Sequence, residues 1–430
     1  MNDIVRKKSK YERKQKGQFY TDNKLIKLIK NVLNISEYMN VLEPSAGEGA
    51  FIDGFLNLDS GCLVDVIDVD QDTINYLKNK YSSNQFNIIK SDFLKYNKKY
   101  EKKYDLIIGN PPFNLKIQNT FDISLNDSTD MFIYHSLNML NCNGSLIMLV
   151  PGTFFRNKSY QSIRENIINN YKIMNIFDLR NGDFMGASIE VYAIHIVNRI
   201  TTKQNYNVIY SESQIENIDY KENNKYFINL FDSSLIDKVT SCMTDSIGNQ
   251  FKISRGRDKT NGSLKGRNIS IYRNGWSGIA DGNYESNTII CLQNIAYRFV
   301  AASSTKREKI SISDTITILH KDSLSRKEQL IYTTFLNTSI AYSILHTYVF
   351  NYSRLTTHVD RYYIEDIPLP DLSIIDENDS IELMEIIEIK DDCKRLDLLN
   401  DFYYRKLNID REVIERIEEN WKCPNIRRSI

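Results

Sequence analysis

Along the first two hundred residues, short apolar runs alternate with stretches whose apolar residues recur at helical spacing. Leu25, Leu28, Ile29, Val32 and Leu33 form one amphipathic face, with Thr21 or Asp22 placed to cap that helix. Strands are predicted around Val41 and Leu42, at Leu63–Val69, around Asn87–Ile89, and at Tyr104–Ile108, Gly144–Val150, Ile173–Leu179 and Ile189–Val197. The apolar run Tyr104–Ile108 reads as a buried strand of a mostly parallel sheet. Such alternation predicts a doubly wound α/β domain with a mostly parallel sheet. From about Thr201 to Gln250 the pattern loosens into Asn, Lys, Glu and Ser, which reads as a connection between domains. Helical spacing returns over 327–349 and Leu396–Glu419. The expected organisation is an α/β domain over 1–240, an α+β domain over 241–370 and a helical segment over 371–430.

Candidate chemistry lies at the carboxyl ends of the predicted strands, where open α/β sheets bind ligands. Glu43 leads into Pro44-Ser45-Ala46-Gly47-Glu48-Gly49, a strand, glycine loop and helix transition in which Gly47 and Gly49 let a ligand approach the backbone. Glu43 suits a positively charged ligand group. The loop has neither the G-x-G-x-x-G of a dinucleotide site nor the Lys-Ser/Thr of a phosphate loop, which disfavours pyrophosphate and ATP. Asp68 follows about twenty positions later, where an acid can accept from ribose hydroxyls; Asp70 reads as the N-cap of the next helix. Asp92 and Phe93 end the third strand with an acid and an aromatic, and Asn110-Pro111-Pro112-Phe113 follows the fourth. An amide, backbone carbonyls and a ring suit a flat base bearing an amino group.

Composition narrows the setting. The chain has 430 residues and a formal net charge of zero, with six cysteines in no close C-x-x-C pair and five histidines in no ligand cluster. Neither disulfides nor a metal is expected, and a reducing cytoplasm fits. No apolar run approaches membrane-spanning length, and the basic start lacks a signal-peptide core. The charge is uneven: residues 1–30 hold ten Lys/Arg against three Asp/Glu, residues 251–310 eleven against four, and the last sixty are acid-rich. The second basic tract interleaves Arg255, Arg257, Lys259, Lys265, Arg267, Arg273 and Arg298 with Tyr272, Trp276, Tyr284 and Tyr297, a mixture suited to nucleic acid.

The order Gly17-Gln18-Phe19-Tyr20-Thr21, Glu43 to Phe51, Asp68, Asp92-Phe93 and Asn110 to Phe113, followed by a long second half, resembles the gamma-class DNA adenine-N6 methyltransferases of restriction-modification systems. The resemblance implies a Rossmann-like methyltransferase domain that binds S-adenosyl-L-methionine, followed by a target-recognition domain that binds double-stranded DNA in the bacterial cytoplasm. Gln18, Phe19, Tyr20 and Thr21 would cover the cofactor. Glu43 would lie near its methionine amino group, with Ser45, Ala46, Gly47 and Gly49 in the cradle; Asp68 would take the ribose, and Asp92 and Phe93 the adenine. Asn110 and the Pro111 carbonyl would grip the target amino group, Pro112 would stiffen the turn, and Phe113 and Phe184 would cover the two faces of a flipped base. Tyr363 to Pro370 resembles the closing segment of target-recognition domains. A separate cognate endonuclease is the partner such systems imply.

Four other readings compete, one of them a non-catalytic DNA-binding subunit, which is disfavoured because every expected catalytic position is filled. Protein-glutamine methyltransferases also grip a planar amide with an Asn-Pro-Pro-aromatic turn, but have no use for a large basic and aromatic second half. An RNA adenine methyltransferase is the nearer rival. Pro370-Asp371 with Glu388-Ile389-Lys390 imitates a nuclease signature, but helical spacing at Ile386, Ile389 and Leu396 puts the last three residues on a helix rather than a strand.

Overall fold

The computed structural model describes residues 23–30, 32, 40–55, 61–179, 190–230, 234–241, 243–258, 263–265, 284–296, 299–347, 357–359 and 361–421. Gln18 to Thr21, Phe184, Lys259, Arg267, Tyr272, Arg273, Trp276, Tyr297 and Arg298 lie outside the described residues. The chain divides into two compact units, Met1–Asp232 and Ser233–Ile430.

The first unit is built on a nine-stranded sheet. Its strands are β1 (Asn40–Glu43), β2 (Leu63–Asp68), β3 (Phe86–Lys90), β4 (Tyr104–Gly109), β5 (Leu140–Pro151), β6 (Lys172–Asp178), β7 (Val191–Val197), β8 (Asn205–Ile209) and β9 (Ile215–Asp219). Helices α1 (Asn23–Lys30), α2 (Ala50–Phe55), α3 (Gln71–Lys80), α4 (Ser128–Leu137) and α5 (Gln161–Asn170) alternate with them. The spatial order is β3-β2-β1-β4-β5-β7-β6-β8-β9. Parallel pairing joins β3, β2, β1, β4 and β5, while β7 runs antiparallel between β5 and β6. The chain winds one way from β1 to β3 and then crosses to β4 on the other side. The carboxyl ends of β1 and β4 therefore flank the crevice of a switch point. Val41, Leu106, Ile107, Leu146 and Ile147 are almost fully buried, which explains the apolar runs.

Residues 201–250 are not simply a connection: β8 and β9 extend the sheet within them. Tyr206, Val208 and Ile218 supply the buried positions. The asparagines that obscured this alternation bond across the sheet. His195 Nε2 lies 3.4 Å from Ser145 Oγ and its Nδ1 2.9 Å from Asn175 Nδ2; Asn207 then donates to Asn175 at 3.1 Å and Asn217 to Asn207 at 3.0 Å. Burial lowers the His195 pKa to about 4, so the imidazole in this row stays neutral at pH 7.

The second unit is α+β. An antiparallel sheet orders β10 (Lys252–Arg255), β13 (Ile316–His320), β11 (Ile289–Gln293) and β12 (Ala301–Ser303). Its helices include α6 (Ser234–Thr240), α7 (Arg326–Leu336), α8 (Ser339–Leu345), α9 (Glu377–Ile387), α10 (Asp392–Lys406) and α11 (Arg411–Trp421). Leu292 and Leu319 of the sheet share one core with Phe335, Leu383, Phe402 and Ile417, so the C-terminal helices complete this unit's interior. Glu388 caps the end of α9, Lys390 lies between α9 and α10, and Asp371 caps a short helical turn by accepting from Ser373 N at 2.8 Å. The nuclease-like residues thus stand on no strand. Among the described residues no helix is long and apolar enough to cross a membrane.

Candidate active site

Parallel register brings the predicted strand-end residues to one edge of the first unit. Glu43 aligns with Val66 two residues before Asp68, Asp68 aligns with Lys90 two residues before Asp92, and Leu42 aligns with Ile107 three residues before Asn110. The glycine loop after β1 needs left-handed backbone at Gly47 (φ 53°) and Gly49 (φ 77°), which explains glycine there. Its conformation is held from three sides. Ala46 N donates to Ile67 O at 3.0 Å, Gly47 N to Asp68 Oδ2 at 3.0 Å, and Gly49 N back to Ala46 O at 2.8 Å. Tyr81, just past α3, donates to Gly49 O at 3.0 Å and lies 2.6 Å from Asp53 Oδ1, while Lys80 donates to Glu48 O at 2.9 Å.

Two acids flank this loop. Glu43 is 2% exposed, and its Oε2 has no hydrogen-bond partner among the described residues. Burial, followed by the nearby Asp68 and Asp53, pushes its carboxyl well above the usual range, with Lys80 opposing. A buried carboxylate is costly unless something positive meets it, so an orphaned oxygen beside an open glycine cradle fits a ligand carrying an ammonium group. Asp68 accepts from Gly47 N at 3.0 Å and from Asp70 N at 2.8 Å. Burial raises its pKa against those two donors. Each carboxylate oxygen can accept more than one bond, so Asp68 retains capacity for a ligand's hydroxyls. Asp70 is the N-cap of α3, accepting from Thr73 N at 3.2 Å.

Asp92 caps a short turn through Leu94 N at 3.1 Å and pairs with Lys95 at 3.2 Å. The Phe93 ring is 2% exposed and packs against Phe132 at 4.9 Å and His135 at 4.8 Å, both from α4.

The Asn110 to Phe113 turn leaves β4 beside the glycine loop. Ser45 Oγ donates to the Asn110 carbonyl at 3.0 Å, and a Cβ at Gly109 would lie 3.0 Å from Pro44 Cδ, so the two loops touch directly. Pro111 is buried and Phe113 is 6% exposed. Beyond the turn, Asn114 takes φ 56°, and the chain closes on the start of α4 through Ser128, Asp127 and Tyr160. Ser128, Tyr160 and Tyr81 escape sequence reading as site supports. The Asp127-x-x-Asp130 capping box was the local signal for the helix start that carries the first. Among the described residues no group of His, Cys, Asp and Glu is arranged to hold a metal.

Residues 53–184 match the Eco57I restriction-modification methylase family. The chain is similar to the Type II methyltransferase M.HincII of Haemophilus influenzae, 29% identical over 238 residues that cover 51% of this chain and 45% of that protein. It is 37% identical over 112 residues to the ribosomal RNA small subunit methyltransferase A of Flavobacterium johnsoniae, covering 25% of this chain and 42% of the other. The chain spans about half the length of the curated relatives it matches. Among solved structures, the cryo-EM structure of a DrdV–DNA complex resembles 89% of this chain over 58% of its own, at 12% identity and a TM-score of 0.50, a likeness of fold.

Proposed function

Taking the first unit as a methyltransferase domain of restriction-modification type, we propose that the chain methylates N6 of an adenine flipped out of double-stranded DNA at a defined sequence. The observation that carries the reading is the Asn110-Pro111-Pro112-Phe113 turn at the switch point, bonded through Ser45 to the glycine loop. The methyl donor is S-adenosyl-L-methionine, which supplies an electrophilic methyl group on a sulfonium. Glu43 would meet its ammonium, Gly47 and Gly49 would admit it to the backbone, and Asp68 would take its ribose hydroxyls. Asp92 and Phe93 are assigned to its adenine, and Gln18, Phe19, Tyr20 and Thr21 to its cover, by the resemblance in motif order.

The side chains of the turn address a specific difficulty. An adenine amino group is a weak nucleophile because its lone pair is delocalised into the ring. The Asn110 side-chain oxygen and the Pro111 carbonyl each accept one amino N–H, drawing the nitrogen toward a tetrahedral form and fixing it for attack. A neutral amide suits a neutral base beside a cationic donor. Base extrusion costs a few kcal/mol, and stacking on Phe113 and Phe184 returns about 1–3 kcal/mol per ring. In the second unit, exposed Lys252, Arg255 and Arg257 on and beside β10 are assigned to DNA, with Arg255 Nε anchored on Asp314 O at 2.7 Å. A separate endonuclease would be the partner.

The identity to a ribosomal RNA methyltransferase supports a second reading, adenine methylation in RNA. Labelled S-adenosylmethionine supplied with duplex DNA, ribosomal RNA or bacterial translation factors in parallel separates the readings. Label recovered as N6-methyladenine from DNA supports the first. Label confined to RNA or to a protein glutamine refutes it.

A further inference from the structure

The turn cannot hold itself in place. Pro111 and Pro112 have no N–H, so the peptide's orientation is set through its carbonyls and through the residues that follow. One carbonyl is held by Ser45, at Asn110 O. The other hold comes from the far side. Ser128, the first residue of α4, is fully buried, and its hydroxyl donates to the Pro112 carbonyl while accepting from Leu115 N at 3.1 Å. Its own N–H donates to Leu115 O at 2.9 Å. Three bonds from one serine thus join the helix start to both sides of the left-handed residue Asn114.

A second tie lies one residue away. Tyr160 Oη stands 3.1 Å from the Asn114 amide and 2.8 Å from Asp127 Oδ2, the N-cap of α4. Asn114 Oδ1 and Asp127 Oδ2 are both acceptors, so the one phenol proton is shared between the loop amide and the helix cap. Asp127 also accepts from Thr129 N at 2.8 Å, and Asp130 closes the capping box. The start of α4 is therefore a rigid post, and both ties end on it.

We propose that Ser128 is a positioning residue for methyl transfer: clamped between the Ser45 bond at Asn110 O and the Ser128 bond at Pro112 O, the Pro111 carbonyl is kept aimed at the target amino group, with Tyr160 bracing the same post through Asn114. This rests on the functional reading above and adds to it the residues that hold its acceptor in place. Ser128 itself touches neither substrate nor cofactor. Its loss acts on the rate of transfer and leaves the binding of either partner alone.

The test is single-turnover methyl transfer to duplex DNA by the full chain, with cofactor and DNA affinities measured separately, for Ser128→Ala, Ser128→Thr and Tyr160→Phe. Displacing a reacting group by a fraction of an ångström to an ångström is worth about 10- to 100-fold in rate, so Ser128→Ala should lose that much with both affinities within about twofold of wild type. Ser128→Thr restores the hydroxyl and should recover most of the rate. Tyr160→Phe should show a smaller loss of the same kind, and it keeps the proposal testable if Ser128→Ala folds poorly. A Ser128→Ala rate equal to wild type overturns the proposal. So does a loss that falls equally on rate and both affinities, because that reports general loosening. A wild-type chain that methylates no DNA overturns the functional reading itself, an outcome distinct from an active enzyme indifferent to Ser128.

Discussion

Gly47 and Gly49 both adopt positive φ, yet substitution at the two should differ sharply. At Gly47 an added Cβ meets nothing within 4 Å, so alanine there carries only the left-handed backbone cost, roughly 1–2 kcal/mol. At Gly49 the same atom would lie 2.4 Å from Tyr81 Oη, 2.9 Å from Cε2 and 3.0 Å from Cζ. The ring must move, breaking its bonds to Gly49 O and Asp53. The hydroxyl has one proton to share between these two acceptors, so adding about 1.5–3 kcal/mol for the charge-assisted contact with Asp53 brings Gly49→Ala to roughly 2.5–5 kcal/mol. Urea unfolding of Gly47→Ala, Gly49→Ala, Tyr81→Ala and the Gly49→Ala/Tyr81→Ala pair, with cofactor titration of each, measures this. In the double variant the clash is gone, so the added cost of Gly49→Ala should fall to that of Gly47→Ala. Equal costs at Gly47 and Gly49 in the wild-type background, or full additivity in the double variant, would refute the reasoning that Tyr81 pins the loop.

Other expectations follow from neighbouring groups. Asp70→Ala should cost about 1 kcal/mol of stability, as removal of a helix cap does, with cofactor affinity unchanged in titration. Asp68→Ala should instead weaken cofactor binding about 10-fold or more, since it removes charged acceptors from the ribose; unaltered affinity would leave Asp68 as a loop support alone. Burial raises the Asp130 carboxyl to about 6 from 3.8, against the N–H groups of Asn126 and Asp127. Its ionised form is therefore penalised in the fold, the penalty being absent below about pH 4 and complete above about pH 6. Stability of the wild type relative to Asp130→Asn should accordingly fall by up to ~3 kcal/mol as pH rises through that window, read from denaturation midpoints. Arg255→Gln with Arg257→Gln should reduce the salt slope of DNA binding by about 0.9 for each phosphate that is no longer neutralised.

Legibility varied with the range of the interactions involved. Strands β1 to β7 show as short apolar-rich runs, with β1, β2 and β6 closed by acids, β4 by glycine and β5 by proline, so β4 and the turn after it could be placed from local residues. Asp70 announced itself as a cap in the same way. The β8 and β9 pair did not, because these strands carry asparagines whose bonding across the sheet only the fold reveals. Residues 327–349 read as one helical stretch, but α7 and α8 divide at Asn337 and Thr338. There Asn337 Nδ2 turns to Ala301 O at 2.9 Å and Thr338 caps the next helix. The supports of the site were hidden by separation along the chain. Ser128 lies 16 residues from Pro112, Tyr160 46 from Asn114, and Tyr81 32 from Gly49, with no periodicity to connect them.

In the proposed reaction Asn110 presents an acceptor to an adenine amino group in DNA. Modification-sensitive long-read sequencing of genomic DNA from cells expressing the wild-type chain or Asn110→Ala tests it most directly. N6-methyladenine is expected at one recurrent sequence motif in the first and nowhere in the second, with the purified variant still binding cofactor and DNA. Unmodified DNA from cells making active, folded wild-type protein, or equal methylation by Asn110→Ala, would contradict it.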